Sequence, residues 1–141
     1  DFVLRDSTNR NVLISAGVGI TPMFAMLQAI LEDSASGADV TFIHACQNAG
    51  HHAFQQTLSE LDLTHDQLHY HYWYEKGSTE NRAKLGFIDF SHPDLSLPIE
   101  DGDFYLCGPG PFMRFCKNAL LQLGVSSDRI HYEVFGPHND L

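Results

Sequence analysis

A chain of 141 residues with 43% apolar side chains is long enough to bury one core, and no apolar run approaches the roughly 18 residues that span a bilayer. Eight basic against eighteen acidic residues leave a net charge of −10, which excludes nucleic acid and anionic membrane as partners for want of a basic face. Three cysteines, Cys46, Cys107 and Cys116, stand too far apart for a CxxC metal pair and predict reduced thiols in a cytoplasmic setting.

The chain opens on Asp1 without a methionine, a basic segment or an apolar signal core, which predicts a piece of something longer; Asn139-Asp140-Leu141 fits a natural terminus. Residues 1–10, polar from Arg5 onward, read as a linker, and residues 11–141 as one domain. The first strand is predicted over 11–16. It drops into Gly17-Val18-Gly19-Ile20-Thr21-Pro22, where Thr21 is a natural N-cap and Pro22 fits a first helical position. A helix follows over 22–33, with Met23, Met26, Leu27, Ile30 and Leu31 at helical spacing. Val40-Thr41-Phe42-Ile43-His44 is a second strand, and 51–62 a helix with Phe54, Leu58 and Leu61 on one face. Leu68 to Tyr74 is a third strand of aromatic and imidazole side chains, after which 75–102 is irregular. Asp103-Phe104-Tyr105-Leu106-Cys107 is a fourth strand, Pro111 to Leu123 a helix stopped by Gly124, and Arg129 to Phe135 a fifth strand. Such alternation predicts an α/β domain with a doubly wound, five-stranded parallel sheet and a ligand crevice at the carboxyl ends of its strands.

Three segments fall at those ends: Gly17 to Pro22, Cys107-Gly108-Pro109, and Glu133-Val134-Phe135-Gly136. Strand, glycine turn and helix N-terminus together hold an anion, because free N–H groups and the helix dipole point at it. No Lys or Arg occurs from Asn11 to Glu75, so a phosphate there must be met by backbone alone. The usual dinucleotide fingerprint has a third glycine and an acidic residue after the second strand. Here the third glycine is absent, and that strand ends in His44-Ala45-Cys46-Gln47-Asn48. Gln47 and Asn48 are therefore the candidates for the adenosine ribose hydroxyls. The lack of Arg or Lys over 44–60 predicts NADH in preference to NADPH. His65, His69 and His71 have no helical pairing or carboxylate pattern and predict no metal site; Met113, like the other methionines, reads as core.

The combination Gly17-Val18-Gly19-Ile20-Thr21-Pro22-Met23, Cys107-Gly108-Pro109 and Glu133-Val134-Phe135-Gly136 resembles the NAD-binding domain of ferredoxin-reductase-type flavoenzymes, which is Rossmann-like. His44-Ala45, His52-Ala53-Phe54 and the ending Ile130 to His138 resemble flavohemoglobins in particular, over about residues 11–138. The resemblance implies that residues 1–10 lead in from a flavin-binding barrel, with a globin domain beyond it in the same polypeptide. NADH would pass a hydride to FAD held by the barrel, and electrons would go singly to heme for nitric oxide dioxygenation. It further implies a catalytic group of Thr21, Cys107, Glu133 and Phe135: Thr21 and Cys107 near the nicotinamide, Thr21 bonding its amide, Phe135 near the flavin ring, and Glu133 close to the transfer site. Gly17, Val18, Gly19, Ile20, Pro22, Gly108 and Pro109 would complete the nucleotide cradle. Thr21 serves equally as a helix cap, and Cys107 equally as a small core residue. The alternatives are the reductase component of a ring-hydroxylating oxygenase, a cytochrome b5 reductase-like protein, or a stand-alone nucleotide-binding module. Cut off from a flavin domain, the chain is expected to have no NADH-oxidising activity.

Overall fold

Asn11–Ala16 forms β1, and its first five side chains are all buried, as befits a strand covered on both faces. The chain continues through α1 (Ile20–Glu32), β2 (Val40–Cys46), α2 (Gln55–Thr64), β3 (Leu68–Tyr74), β4 (Lys84–Leu85), β5 (Asp103–Gly108), α3 (Gly110–Leu123) and β6 (Ile130–Val134). The computed structural model describes residues 10–32, 39–48, 50, 52–75 and 83–134, with 133 and 134 described by backbone alone. The strands are parallel and lie in the order β4-β3-β2-β1-β5-β6. Sequence order runs one way from β1 through β2 to β3 and the other way from β1 to β5. The switch point therefore lies where β1 and β5 separate at their carboxyl ends.

The sheet has six strands where the periodicity predicts five. Lys84–Leu85 pairs with Trp73 and Tyr74 along the outer edge of β3, and two residues are too few to leave a pattern in sequence. α1 also begins earlier than expected. A 3-10 turn over Gly17–Gly19 winds directly into Ile20, so Thr21 is inside the first helical turn rather than capping it. Pro22 is tolerated there because first-turn N–H groups have no intrahelical acceptor. α2 starts at Gln55 rather than 51, because Phe54 takes φ 61°, a left-handed conformation that a helix cannot include. Leu58 is buried and Leu61 half-buried as expected, while Phe54 stacks on Phe24 of α1 at 4.6 Å from outside the helix. Gly124 ends α3 at φ 107°, as its position predicts. Residues 1–9 of the expected linker and Phe135 of the expected last strand lie outside the described residues.

Alternation along the strands divides the interior in two. Leu13, Phe42, Tyr70, Tyr72, Tyr105 and Cys107 pack under α1 and α2 with Met23, Leu27 and Leu58. Val12, Ile14, Ile43, Trp73, Phe104 and Leu106 pack under α3 with Met113, Cys116 and Leu120. Each fully buried Leu, Ile or Met contributes about 1.5–3 kcal/mol, so both layers are needed to order a chain of this size. Arg129 joins the α3 layer's edges, its guanidinium donating to the carbonyls of Gly102 at 2.6 Å and Ile99 at 2.7 Å.

Candidate functional site

The glycine turn and two helix starts build the site. Gly17 takes φ 55° with open space where a side chain would stand, so it supplies a left-handed corner at the crevice mouth. Gly19 does something different from leaving room for a ligand. A Cβ there would collide with the Cys107 carbonyl, so its absence lets the turn close against β5. Gly108 likewise serves packing, since a Cβ would meet Phe112 and Ala16. α3 starts immediately after Pro109, which is extended at φ −61° and ψ 151°. Neither α1 nor α3 carries an acidic residue in its first turn, so both positive dipole ends are uncompensated.

Between these helix starts lies a crevice of about 820 Å³. Gly17, Val18, Ile20 and Thr21 line it from the turn, Cys46 and Gln47 from the end of β2, and Glu75 from the end of β3. Ala53, Phe87, Ile88, Pro109, Pro111, Phe112 and Phe115 close its other walls. Of the residues expected from sequence, the structure thus brings together Gly17, Val18, Ile20, Thr21, Gln47 and Pro109. Thr21 and Gln47 are exposed, with their polar groups accessible. Gly19 and Pro22 support the turn without lining the crevice. Asn48 also lies off it, its side-chain oxygen accepting from the Gly50 N–H at 2.9 Å. Cys107 contributes backbone against Gly19, while its thiol is wholly buried beside Tyr105 in the α1/α2 layer. Glu133 pairs in register with Cys107 on β6; its side chain and Phe135 lie outside the described residues. Among the described residues no three His, Cys, Asp or Glu gather as metal ligands.

Glu75 and Phe87 were not visible as site residues in the sequence. An acidic residue was sought after the second strand, and Glu75 follows the third, where its N–H donates to the Cys46 carbonyl at 3.0 Å. Phe87 follows Gly86, which takes φ 95°, and is 76% exposed; its ring lies 5.9 Å from Phe115. A Gly-Phe-Ile triplet in a polar stretch was the available signal, because a large exposed aromatic on a crevice wall is uncommon without a ligand.

Glu75 is the single charged residue among the described residues that line the crevice. Burial pushes the neighbouring Cys46 thiol up to about 11, and repulsion from Glu75 adds to that against a bond to the Asn48 carbonyl. Cys46 is accordingly a neutral thiol and a poor nucleophile. Behind this wall is a buried polar cluster. His52 lies 2.6 Å from the Tyr70 hydroxyl through Nε2 and 2.9 Å from the Tyr74 hydroxyl through Nδ1. His44 Nδ1 is 2.8 Å from the Ser15 hydroxyl, and its ring lies 5.0 Å from that of His52. Burial holds both imidazoles neutral, His44 down to about 3 with help from His52, and His52 down to about 4.

Residues 13–118 match the family described as the oxidoreductase NAD-binding domain. A flavohemoprotein of Vibrio cholerae serotype O1 is 44% identical over 141 residues, which is 100% of this chain and 34% of that protein. The chain therefore spans about a third of the length of the curated relatives it matches. The FAD/NAD-binding domain of nitric oxide dioxygenase from Vibrio cholerae O1 biovar El Tor has the same fold, with a TM-score of 0.84 at 44% identity, over 96% of this chain and 54% of that one. Flavohemoglobin from Malassezia yamatoensis, solved with FAD and heme, gives a TM-score of 0.80 at 27% identity, over 93% of this chain and 33% of that one.

Proposed function

Because this chain belongs to the oxidoreductase NAD-binding domain family, we propose that its crevice holds NADH for a flavohemoglobin-type flavoprotein. The observation that carries this reading is the pair of uncompensated helix starts facing one crevice, with no cation among the described residues of its wall. A pyrophosphate fits there, met by first-turn N–H groups of the Gly17–Gly19 turn and of α3. The adenosine half then extends toward β2 and β3, with the ribose hydroxyls donating to Glu75 or bonding Gln47, and the adenine against the exposed face of Phe87. The nicotinamide half extends toward Thr21 and Pro109, where the Thr21 hydroxyl orients the carboxamide. Glu133, on the strand beside β5, and Phe135, outside the described residues, are assigned by the family resemblance to the flavin-facing side.

A bound NADH would supply the hydride for a flavin held by another domain of a flavohemoglobin-type protein, with heme as the final carrier for nitric oxide dioxygenation. This chain's own contribution is orientation and exclusion of water, since hydride transfer requires the reacting atoms at about 3–3.5 Å. The cytoplasm, with its reduced thiols, suits the cysteine pattern.

A 2′-phosphate at the adenosine ribose would meet the Glu75 carboxylate and, among the described residues lining the crevice, no Lys or Arg. NADH should therefore bind at least about tenfold more tightly than NADPH, a difference of about 1.4 kcal/mol. Titration calorimetry on the chain measures this, and Glu75→Gln should narrow the gap. Equal affinity of the unaltered chain for both nucleotides would refute the placement.

A further inference from the structure

The polar cluster behind the crevice has a single consistent direction. The Tyr70 hydroxyl donates to Gln55 Oε1 at 2.6 Å, so its oxygen accepts the proton on His52 Nε2. Neutral His52 then has a bare Nδ1, which accepts from the Tyr74 hydroxyl at 2.9 Å. Gln55 Nε2 completes the run by donating to the Tyr72 hydroxyl at 3.3 Å. Every partner except His52 lies on β3 or at the start of α2. His52, alongside Gln55, links β3 to the chain that enters α2, and it alone of the two reaches Tyr74.

Place in the crevice gives this link a purpose. His52 is the residue before Ala53, and Tyr74 is the residue before Glu75; Ala53 and Glu75 both line the crevice, on segments that share no strand pairing. A hydrogen bond between the two preceding residues therefore fixes how far apart those walls stand. The ring of His52 is also held by edge contact with Tyr72 at 4.9 Å and Tyr74 at 5.7 Å, so the link cannot swing aside without unpacking β3's aromatic row. Among the described residues no charged side chain stands in these contacts. The groups facing His52 are His44 from β2 and the three tyrosines from β3, two of which Gln55 of α2 bonds in turn.

We propose that His52 is a positioning residue for the adenosine half of the nucleotide, acting through its Tyr74 bond to set the spacing between the Ala53 and Glu75 walls. This rests on the nucleotide reading above and adds to it a residue that never touches the ligand. It follows that the two halves of the dinucleotide depend on His52 unequally, because the Thr21 and Pro109 end is built on the starts of α1 and α3, neither of which bonds to His52.

The test uses the chain with AMP and with nicotinamide mononucleotide as separate competitors of NADH. His52→Phe keeps the ring and its packing but removes both hydrogen bonds; Tyr74→Phe removes one hydroxyl alone and serves where the first variant is poorly folded. AMP affinity should fall about fivefold in either variant, the size of one lost positioning bond, with nicotinamide mononucleotide affinity unchanged. His52→Gln, whose Oε1 can accept from the Tyr74 hydroxyl, should recover part of the loss. Equal weakening of both halves, or a lowered melting temperature with both affinities intact, overturns the proposal and leaves His52 a structural residue. An unaltered chain that binds neither NADH nor AMP overturns the nucleotide reading itself, and the proposal falls with it.

Discussion

On the α3 side of the sheet, the buried cluster is hydrocarbon and aromatic, and its one titratable member is the Cys116 thiol, which burial pushes up. On the α1/α2 side, the same strands present Ser15, His44, Tyr70, Tyr72 and Tyr74, and His52 reaches in to join them. Both sides are closed to water, so the difference is one of material rather than of exposure. It teaches that this sheet separates two jobs by residue parity. Alternate positions on one face supply cohesion that responds to volume alone. Their neighbours on the other face hold a hydrogen-bonded frame behind the crevice, and that frame responds to protons as well.

The largest expected effect ignores the distinction. Gly19→Val places a branched side chain against the Cys107 backbone, where β1's turn and β5 meet, and should cost more than about 4 kcal/mol. Failure of the variant to give a cooperative urea transition is the expected readout; wild-type stability would mean that the turn is not closed against β5. Leu120→Ala, fully buried on the hydrocarbon side, should cost about 2–5 kcal/mol, and the cost should be equal at pH 7 and pH 5. A pH-dependent cost would break the comparison.

Acid should act on the other side. In the folded chain His44 titrates at about 3 and His52 at about 4, both below the unfolded value of 6.5. Between those limits the unfolded chain binds protons that the folded chain does not, so stability falls as pH drops below about 6.5. The loss should approach 1.4 kcal/mol per pH unit for each histidine, to order of magnitude. Urea titrations between pH 7 and pH 5 measure the slope, and His52→Gln should reduce it by about one proton. The smallest effect sharpens the same point: Tyr70→Phe leaves His52 Nε2–H and the Gln55 oxygen without the hydroxyl that joins them, at about 1–3 kcal/mol. A neutral substitution there would show that water replaces the hydroxyl.

Five strands were legible because a parallel strand covered on both faces reads as an unbroken apolar run, as Val12-Leu13-Ile14 and Phe104-Tyr105-Leu106 do. β4 was not, since its two residues are placed by pairing with Trp73 and Tyr74 rather than by any pattern of their own. Thr21 shows where local preference loses. Its N-cap propensity is real, but the turn forced by Gly17 and Gly19 starts the helix sooner. The glycine corner and the start of α3 were readable as an anion site because each is a local device. Glu75, Phe87 and the His52 link were not, because they join the crevice through segments that only the folded sheet brings together. His52 illustrates this most plainly: in sequence it carries only a family resemblance, and its bonding follows from tyrosines on β3.

The central pairing of β1 has a consequence in time. Asn11 bonds in register with Val40 on one side and with Asp103 on the other, so one neighbour is close along the chain and the other is most of its length away. Loop closure favours the near contact, so β1, β2 and β3 can associate while β5 is still searching. The crevice, however, needs Pro109 opposite Gly17, and exists only after β5 has docked. Refolding in the presence of NADH should accordingly show nucleotide capture lagging the early collapse of the β1–β3 half. Competence to bind should then come late in folding, and a nucleotide present at that moment would stabilise the docked state.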